Sequence, residues 1–246
     1  HGNIVQYDRK EAQAMAALLP QGWLRTYLPA YRRTKESLPL FGYAAVAWRD
    51  GRLWVAALSA ASSEDLRRWD PALFNTEELP GLIAARRAEF PGNRVIEQLS
   101  KCSLEYSCFT AQNMMYRRFE AGLPLSPVCN ASCVGCISLQ ESECCPSPQS
   151  RIAFLPTPEE MIGPAVAHLA GGGDTVSFGQ GCEGEPLLQG ALAAEIVRGI
   201  RCRTDRGRIN ANTNAGHFAG VKAVVEAGIE DRKSTRLNSS HGIISC

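Results

Sequence analysis

Three thiols stand within eight residues, Cys129-Asn-Ala-Ser-Cys133-Val-Gly-Cys136. Thiolates are the ligands that hold iron–sulfur clusters, and three can converge if the backbone curls around one small object. On a four-iron cluster, three protein thiolates leave one iron open to a substrate or cofactor. A structural zinc knot is the competing reading. Zinc usually takes four ligands, and Cys144 or Cys145 offers a fourth thiol. A second chemistry-bearing stretch is Gly179-Gln-Gly-Cys-Glu183-Gly184-Glu185-Pro186, which zinc does not explain. Taken alone, Glu185 reads as a solvated loop acid ahead of a helix. The third stretch is Asn210-Ala-Asn212-Thr-Asn214, whose asparagines either end a strand or meet a ligand.

The elements that must position these residues alternate in type. Leu125–Val128 reads as a short apolar strand just before Cys129, Thr175–Phe178 as a second strand and Arg208–Thr213 as a third. Between them, Thr157-Pro158-Glu159-Glu160 has the hydroxyl cap, early proline and first-turn acids of a helix start. That helix runs to about Ala170, with a kink expected at Gly163-Pro164. Leu187–Arg201 and Gly220–Ala227 read as further helices. Such alternation argues for a parallel sheet, and sites in such folds gather at the carboxyl ends of the strands. Residues 1–120 read differently. Glu11–Leu19 is a helix candidate, and Phe41–Ser59 reads as a hairpin about the turn Arg49-Asp50-Gly51. Ser62–Asp65 can cap a short helix, and Thr76–Phe90 and Arg94–Phe119 read as longer ones.

The cysteine spacing, its place after a first strand, and Glu183-Gly184-Glu185-Pro186 after a second resemble the radical S-adenosylmethionine (SAM) enzymes. The likeness covers about residues 121–230. It implies an α/β fold: the N-terminal half of a partial (β/α)6 TIM-like barrel of three β/α units, preceded by a small α+β domain over residues 1–120. It implies a [4Fe-4S] cluster on Cys129, Cys133 and Cys136. SAM would lie against Gly184, Glu185, Pro186, Asn212 and Asn214, with Glu185 facing its ammonium. The implied activity is reductive cleavage of SAM to a 5′-deoxyadenosyl radical that abstracts hydrogen from a substrate the sequence does not identify. That substrate is a small molecule, a peptide or a partner enzyme. A flavodoxin- or ferredoxin-like electron donor is the implied partner. Two departures stand out: Gly135 replaces the usual aromatic residue before the last cysteine, and Glu183 replaces the first glycine of a Gly-Gly-Glu-Pro motif. A metal-binding interaction module, holding zinc or an inert cluster without SAM chemistry, is the alternative from another class.

Other candidates carry less. Cys102 and Cys108 are six apart on one expected helix, hence roughly 120° apart around it, and cannot grip one metal while that helix is intact. Cys144-Cys145 is open to an auxiliary cluster, a redox role or a plain loop. Cys182 and His168 read as core residues, His217 as a minor ligand candidate, and Trp48 and Trp54 as core or interface.

Composition sets outer bounds. The 246 residues hold 26 Lys+Arg, 25 Asp+Glu and ten Cys, for a net charge of +1. Near neutrality argues against a nucleic-acid coat or a polybasic membrane binder, and no apolar run nears the roughly 18 residues of a membrane span. A cytoplasmic location is expected, because ten cysteines then need not imply disulfides. The last segment is unusual: Asp231–His241 reads DRKSTRLNSSH, as does the translation of a common sequencing adapter. Residues 231–246 are therefore expected to be adapter read-through and the native chain to continue past Glu230. The chain as given is then expected to be inactive. Without Arg232, Lys233, Arg236 and Asp231 the charge becomes −1.

Overall fold

The computed structural model describes residues 16–17, 19, 22–27, 44–59, 66–68, 70–133, 135–139, 147–229 and 231–234. Contacts divide the chain into two units, His1–Leu73 and Phe74–Cys246.

The first unit is antiparallel. Strands β1 (Ala16–Ala17), β3 (Ala44–Arg49) and β4 (Arg52–Val55) form one sheet, and β2 (Trp23–Arg25) pairs with β5 (Ala57–Ser59). The expected hairpin is present as β3–β4. Asp50 (φ 52°) and Gly51 (φ 74°) are both left-handed, as a two-residue turn that follows strand twist requires. One expectation fails here and another is narrowed. Ala16 and Ala17 pair with Ala45 and Ala44 as strand, not helix. Trp48 and Trp54, read as core or interface, are 70% and 55% exposed, which excludes only the core reading. The expected cap at Ser62–Asp65 lies outside the described residues, as do Cys144 and Cys145.

The second unit is a mixed α/β assembly with a parallel sheet. Its helices are α1 (Leu79–Glu89), α2 (Arg94–Glu105), α3 (Phe109–Tyr116), α4 (Pro158–Ala170), α5 (Gly190–Arg201) and α6 (Phe218–Glu226). Its strands, all parallel and in the order β6-β7-β8-β9, are β6 (Phe119–Gly122), β7 (Gly173–Phe178), β8 (Arg208–Thr213) and β9 (Asp231–Ser234). The composition break near residue 120 is not where contacts divide the chain. Ile83, Ile96, Leu99 and Met115 of the first three helices share one core with Leu125, Phe178 and Ile196. Among the described residues no helix is long and apolar enough to cross a membrane.

The first strand is displaced from Leu125–Val128 to Phe119–Gly122. Leu123 still donates to the Ser177 carbonyl at 2.8 Å, but Pro124 has no N–H to continue the ladder. The expected helix over 94–119 is also two helices. Ser107 turns left-handed (φ 49°) and the Cys108 N–H returns to the Cys102 carbonyl at 3.1 Å. By contrast, α4 has the expected capping box between Thr157 and Glu160, and it continues through Pro164. The fourth strand, β9, falls in the segment read as adapter. Its backbone pairs with Asn210–Thr213, and pairing along an open edge needs only extended backbone, not a particular set of side chains.

Strand alternation gives the sheet two unlike faces. Ala121, Val176, Phe178, Ile209 and Ala211 are fully buried in the core. The opposite face carries Glu120, Ser177 and Asn210. Asn210 Nδ2 donates to Ser177 Oγ at 2.9 Å, the Ser177 hydroxyl donates to Glu120 at 2.5 Å, and Gln180 Nε2 donates to the same carboxylate oxygen at 2.9 Å.

Candidate metal and cofactor site

Cys129, the start of the cysteine loop, stands seven residues after the last residue of β6, and the chain is fastened there. Gly184 donates to the Ser126 carbonyl at 2.7 Å and Glu185 to the Val128 carbonyl at 2.9 Å. Cys129 and Cys136 are half-buried and Cys133 is exposed, all as free thiols. Cys136 N–H donates to the Cys133 carbonyl at 3.2 Å across a turn in which Gly135 has φ 75°. A left-handed residue is needed there, which accounts for glycine in place of an aromatic. The Ser147 hydroxyl donates to the Cys136 carbonyl at 2.9 Å, and Arg151 Nη2 lies 3.7 Å from its sulfur. Burial opposes ionisation of Cys136. Bonds from the Ser138 and Leu139 backbone, the Ser138 hydroxyl and the Arg151 charge outweigh it and hold the thiol below its ordinary value.

The three cysteines are not gathered. Among the described residues no group of three Cys, His, Asp or Glu side chains is disposed to hold a metal. The donor set nevertheless suits an iron–sulfur cluster in kind: three free thiols on one loop, two of them half-buried, with no disulfide tying them up. Metal sites are commonly completed by the metal they bind, so an open loop is compatible with that donor set.

The acid loop is built in the opposite way. Glu183 is 5% exposed, and its carboxylate accepts four backbone N–H groups: Gly179 at 2.5 Å and Gln180 at 3.2 Å on Oε1, Leu125 at 2.8 Å and Ser126 at 3.0 Å on Oε2. It thus clamps the chain leaving β6 to the chain leaving β7. Burial pushes its pKa up to about 8, against the pull of these four donors. Every partner is a donor, so a proton on either oxygen would face an N–H; we take the carboxylate as the form around which the loops are built. Glu185, 4% exposed, caps the 3-10 turn Pro186–Gln189 by accepting from Leu187 N–H at 3.0 Å. It also accepts the Thr213 hydroxyl and, at 2.8 Å, the Asn214 N–H. Glu185 therefore ties the turn after β7 to the end of β8.

Two glycines allow the close approach. A Cβ on Gly184 would lie 2.1 Å from the Val128 carbonyl oxygen, and one on Gly179 (φ 76°) 1.8 Å from that of Asn212. The Asn-rich strand end completes the meeting point. Asn214 Nδ2 donates to Asn130 Oδ1 at 2.7 Å, beside Cys129, while Asn212 Nδ2 makes a longer bond of 3.3 Å to the Phe178 carbonyl. The structure thus brings Gly184, Glu185 and Asn214 against the start of the cysteine loop. Pro186 is buried at the head of its turn, and Cys133 and Cys136 lie further along the loop.

His217 caps α6 by accepting the Gly220 N–H at 3.2 Å. His168 is buried with Nε2 3.0 Å from the Phe119 carbonyl oxygen, and desolvation lowers its pKa, as befits a core histidine. Sequence reading missed Asn130, Thr213, Ser126 and Arg151. Asn130, inside the cysteine motif, and Thr213, inside the asparagine stretch, carried a local signal; Ser126 and Arg151 act through contacts made in three dimensions. Comparison of the chain with protein-family models, with curated proteins and with solved structures finds no match.

Proposed function

We propose that this chain carries the cluster- and SAM-binding part of a radical SAM enzyme, built on the first half of a partial (β/α)6 barrel. Cys129, Cys133 and Cys136 would hold a [4Fe-4S] cluster, with SAM bound between that loop and Gly184, Glu185, Pro186, Asn212 and Asn214. The observation that carries this reading is the meeting of three separate segments at the carboxyl end of a parallel sheet. Gly184 lies on the Val128–Cys129 backbone, and Asn214 on Asn130.

Hydrogen-bond capacity separates the two acids. A carboxylate offers about four lone-pair sites. Glu183 fills all four with backbone donors and serves as the clamp. Glu185 accepts three donors among the described residues, so one site is left for an ammonium N–H. Its burial strengthens that contact by limiting competition from water. Gly184 keeps the acid turn close to Cys129, so that one ligand can span both loops. The cluster and SAM, when bound, supply the reductive carbon–sulfur cleavage and the radical; the protein's part is to orient them and exclude water. An electron-donor protein and a substrate remain the implied partners.

Glu185→Gln tests the assignment. With the cluster loaded, SAM affinity measured by calorimetry should fall about tenfold or more, since a charge-assisted bond is worth roughly 1.5–3 kcal/mol. Unchanged affinity would assign the ammonium to another group.

A further inference from the structure

The face of the sheet away from the core carries a line of polar side chains that the cysteine loop does not use. Alternation along β8 sends Ile209 and Ala211 to the core and places Asn210 and Asn212 on the opposite face, as it does Glu120 on β6 and Ser177 on β7. Three strands thus each give one side chain to a single line of bonds. Asn210 donates to Ser177, Ser177 donates to Glu120 Oε1, and Gln180, from the acid loop, donates to the same oxygen. Gln180 reaches Glu120 past Gly122, where a Cβ would stand 3.3 Å from Gln180 Cβ.

The single proton of the serine fixes the direction of these bonds. That proton goes to Glu120, so Ser177 accepts from Asn210, which must turn its Nδ2 to the hydroxyl and not its Oδ1. Every donor in the line is therefore turned towards the carboxylate, and what is left over is acceptor. Asn210 is 1% exposed, and its Oδ1 has no donor. Both bonds to Glu120 end on Oε1; among the described residues Oε2 accepts none. A buried acceptor without a donor destabilises a fold, and native structures seldom keep one without a use. Glu120 and Gln180 are half-buried, so the line is closed at Asn210 and accessible at the carboxylate.

We propose that this face binds an aliphatic primary ammonium group, with Glu120 as its countercharge and Asn210 Oδ1 as a second acceptor. An ammonium brings three N–H donors and no acceptor, the complement of what the line has left. A carboxylate or phosphate would meet a like charge, and a neutral hydroxyl brings one donor and no charge. The carboxylate and the Asn210 amide are two bonds apart, of 2.5 and 2.9 Å, so one small cationic head can lie against both. Arg208, which opens β8 on the same face, is exposed, and water screens its charge from a ligand beside Glu120. Asn212 is the next residue of this face beyond Asn210, roughly 7 Å nearer the carboxyl end of the strand. A ligand anchored at Glu120 and Asn210 therefore extends its carbon chain towards the strand ends, where the acid and cysteine loops meet. Calling that ligand the substrate rests on the radical SAM reading; the ammonium site itself does not.

The test uses the full chain without metal, so it does not depend on cluster loading. n-Butylamine, and Nα-acetyl-lysine methylamide as the peptide-borne source of the same group, are titrated at neutral pH into isotope-labelled chain. The side-chain amide signals of Asn210 and Gln180 are followed by NMR. Saturable shifts of both amides in the millimolar range are expected for n-butylamine, with none for 1-butanol or butyrate. Shifts with n-butylamine alone assign a small free amine; shifts with both probes extend the site to a lysine side chain. Glu120→Gln keeps the shape of the residue and removes the charge, and affinity should fall about tenfold or more. Asn210→Ala should weaken binding by a smaller factor. Equal shifts with 1-butanol, unchanged affinity in Glu120→Gln with the backbone spectrum retained, or no shift at tens of millimolar amine overturns the proposal. If the amine binds and the chain loads no iron, the site stands and its ligand is not a radical substrate. If iron loads and no amine binds, the site falls and the cluster reading remains.

Discussion

The loop through Cys129–Cys136 and the loop through Gly179–Pro186 follow neighbouring strands, yet they use their polar side chains in opposite ways. In the first, the three thiols stay half-buried or exposed, while the loop is held through its backbone and through Asn130 and Ser138. In the second, two carboxylates are buried and accept seven hydrogen bonds between them, six from backbone N–H groups. The difference separates two jobs that a motif merges. Residues proposed to hold a foreign group are left with capacity, whereas the acid that holds the loops in place is saturated. Glu185 stands between the extremes, with three donors, and for that reason the ligand role is proposed for it and not for Glu183.

The contrast can be broken most severely at Glu183. Glu183→Ala leaves four buried N–H groups without an acceptor and should cost about 3–5 kcal/mol in urea unfolding. A loss under about 1 kcal/mol would mean the clamp is not structural. Gly184→Ala comes next. Its new Cβ meets the Val128 carbonyl oxygen, so the two loops must part; about 1–3 kcal/mol of stability should go, together with weaker SAM binding. Cys133→Ala should do the reverse, changing stability by less than about 0.5 kcal/mol while abolishing iron loading. If it unfolds the chain, the cysteine loop is a structural part and the contrast fails.

Two pH effects sharpen the background against which these are read. Neutral His168 is favoured in the folded state, because its folded pKa lies below the ordinary value. Its contribution should be complete above about pH 6.5 and fall as pH drops below it; His168→Gln should flatten that slope. Glu160 pairs with Arg94 through two bonds of 2.7 and 2.6 Å, which lower its pKa to about 2. Its contribution should be present above about pH 4.5 and be lost as pH falls toward 2. An Arg94→Met variant should lose less stability on acidification over that window.

How much was legible depended on range. The α4 capping box, the Asp50-Gly51 hairpin and strand β8 were readable because their signals are local: an acid three residues after a hydroxyl, two left-handed turn positions, an alternating run. The break at Ser107 had no glycine or proline to announce it, so two helices read as one. The first strand was misplaced because Leu125–Val128 is as apolar as a strand, while the Leu125 and Ser126 N–H groups go to a side chain 57 residues or more away, Glu183. In the site, the cysteine and Gly-Glu-Pro spacings marked which segments meet. Which acid is saturated depends on contacts between distant residues that no spacing encodes.

The central claim is tested most directly by anaerobic reconstitution of the chain with iron and sulfide, followed by metal and sulfide analysis of the protein and of Cys133→Ala. The account predicts about four iron and four sulfide per chain with the absorption of a [4Fe-4S] cluster, lost in the variant. Tight zinc without iron, or iron loading unchanged in Cys133→Ala, would contradict it.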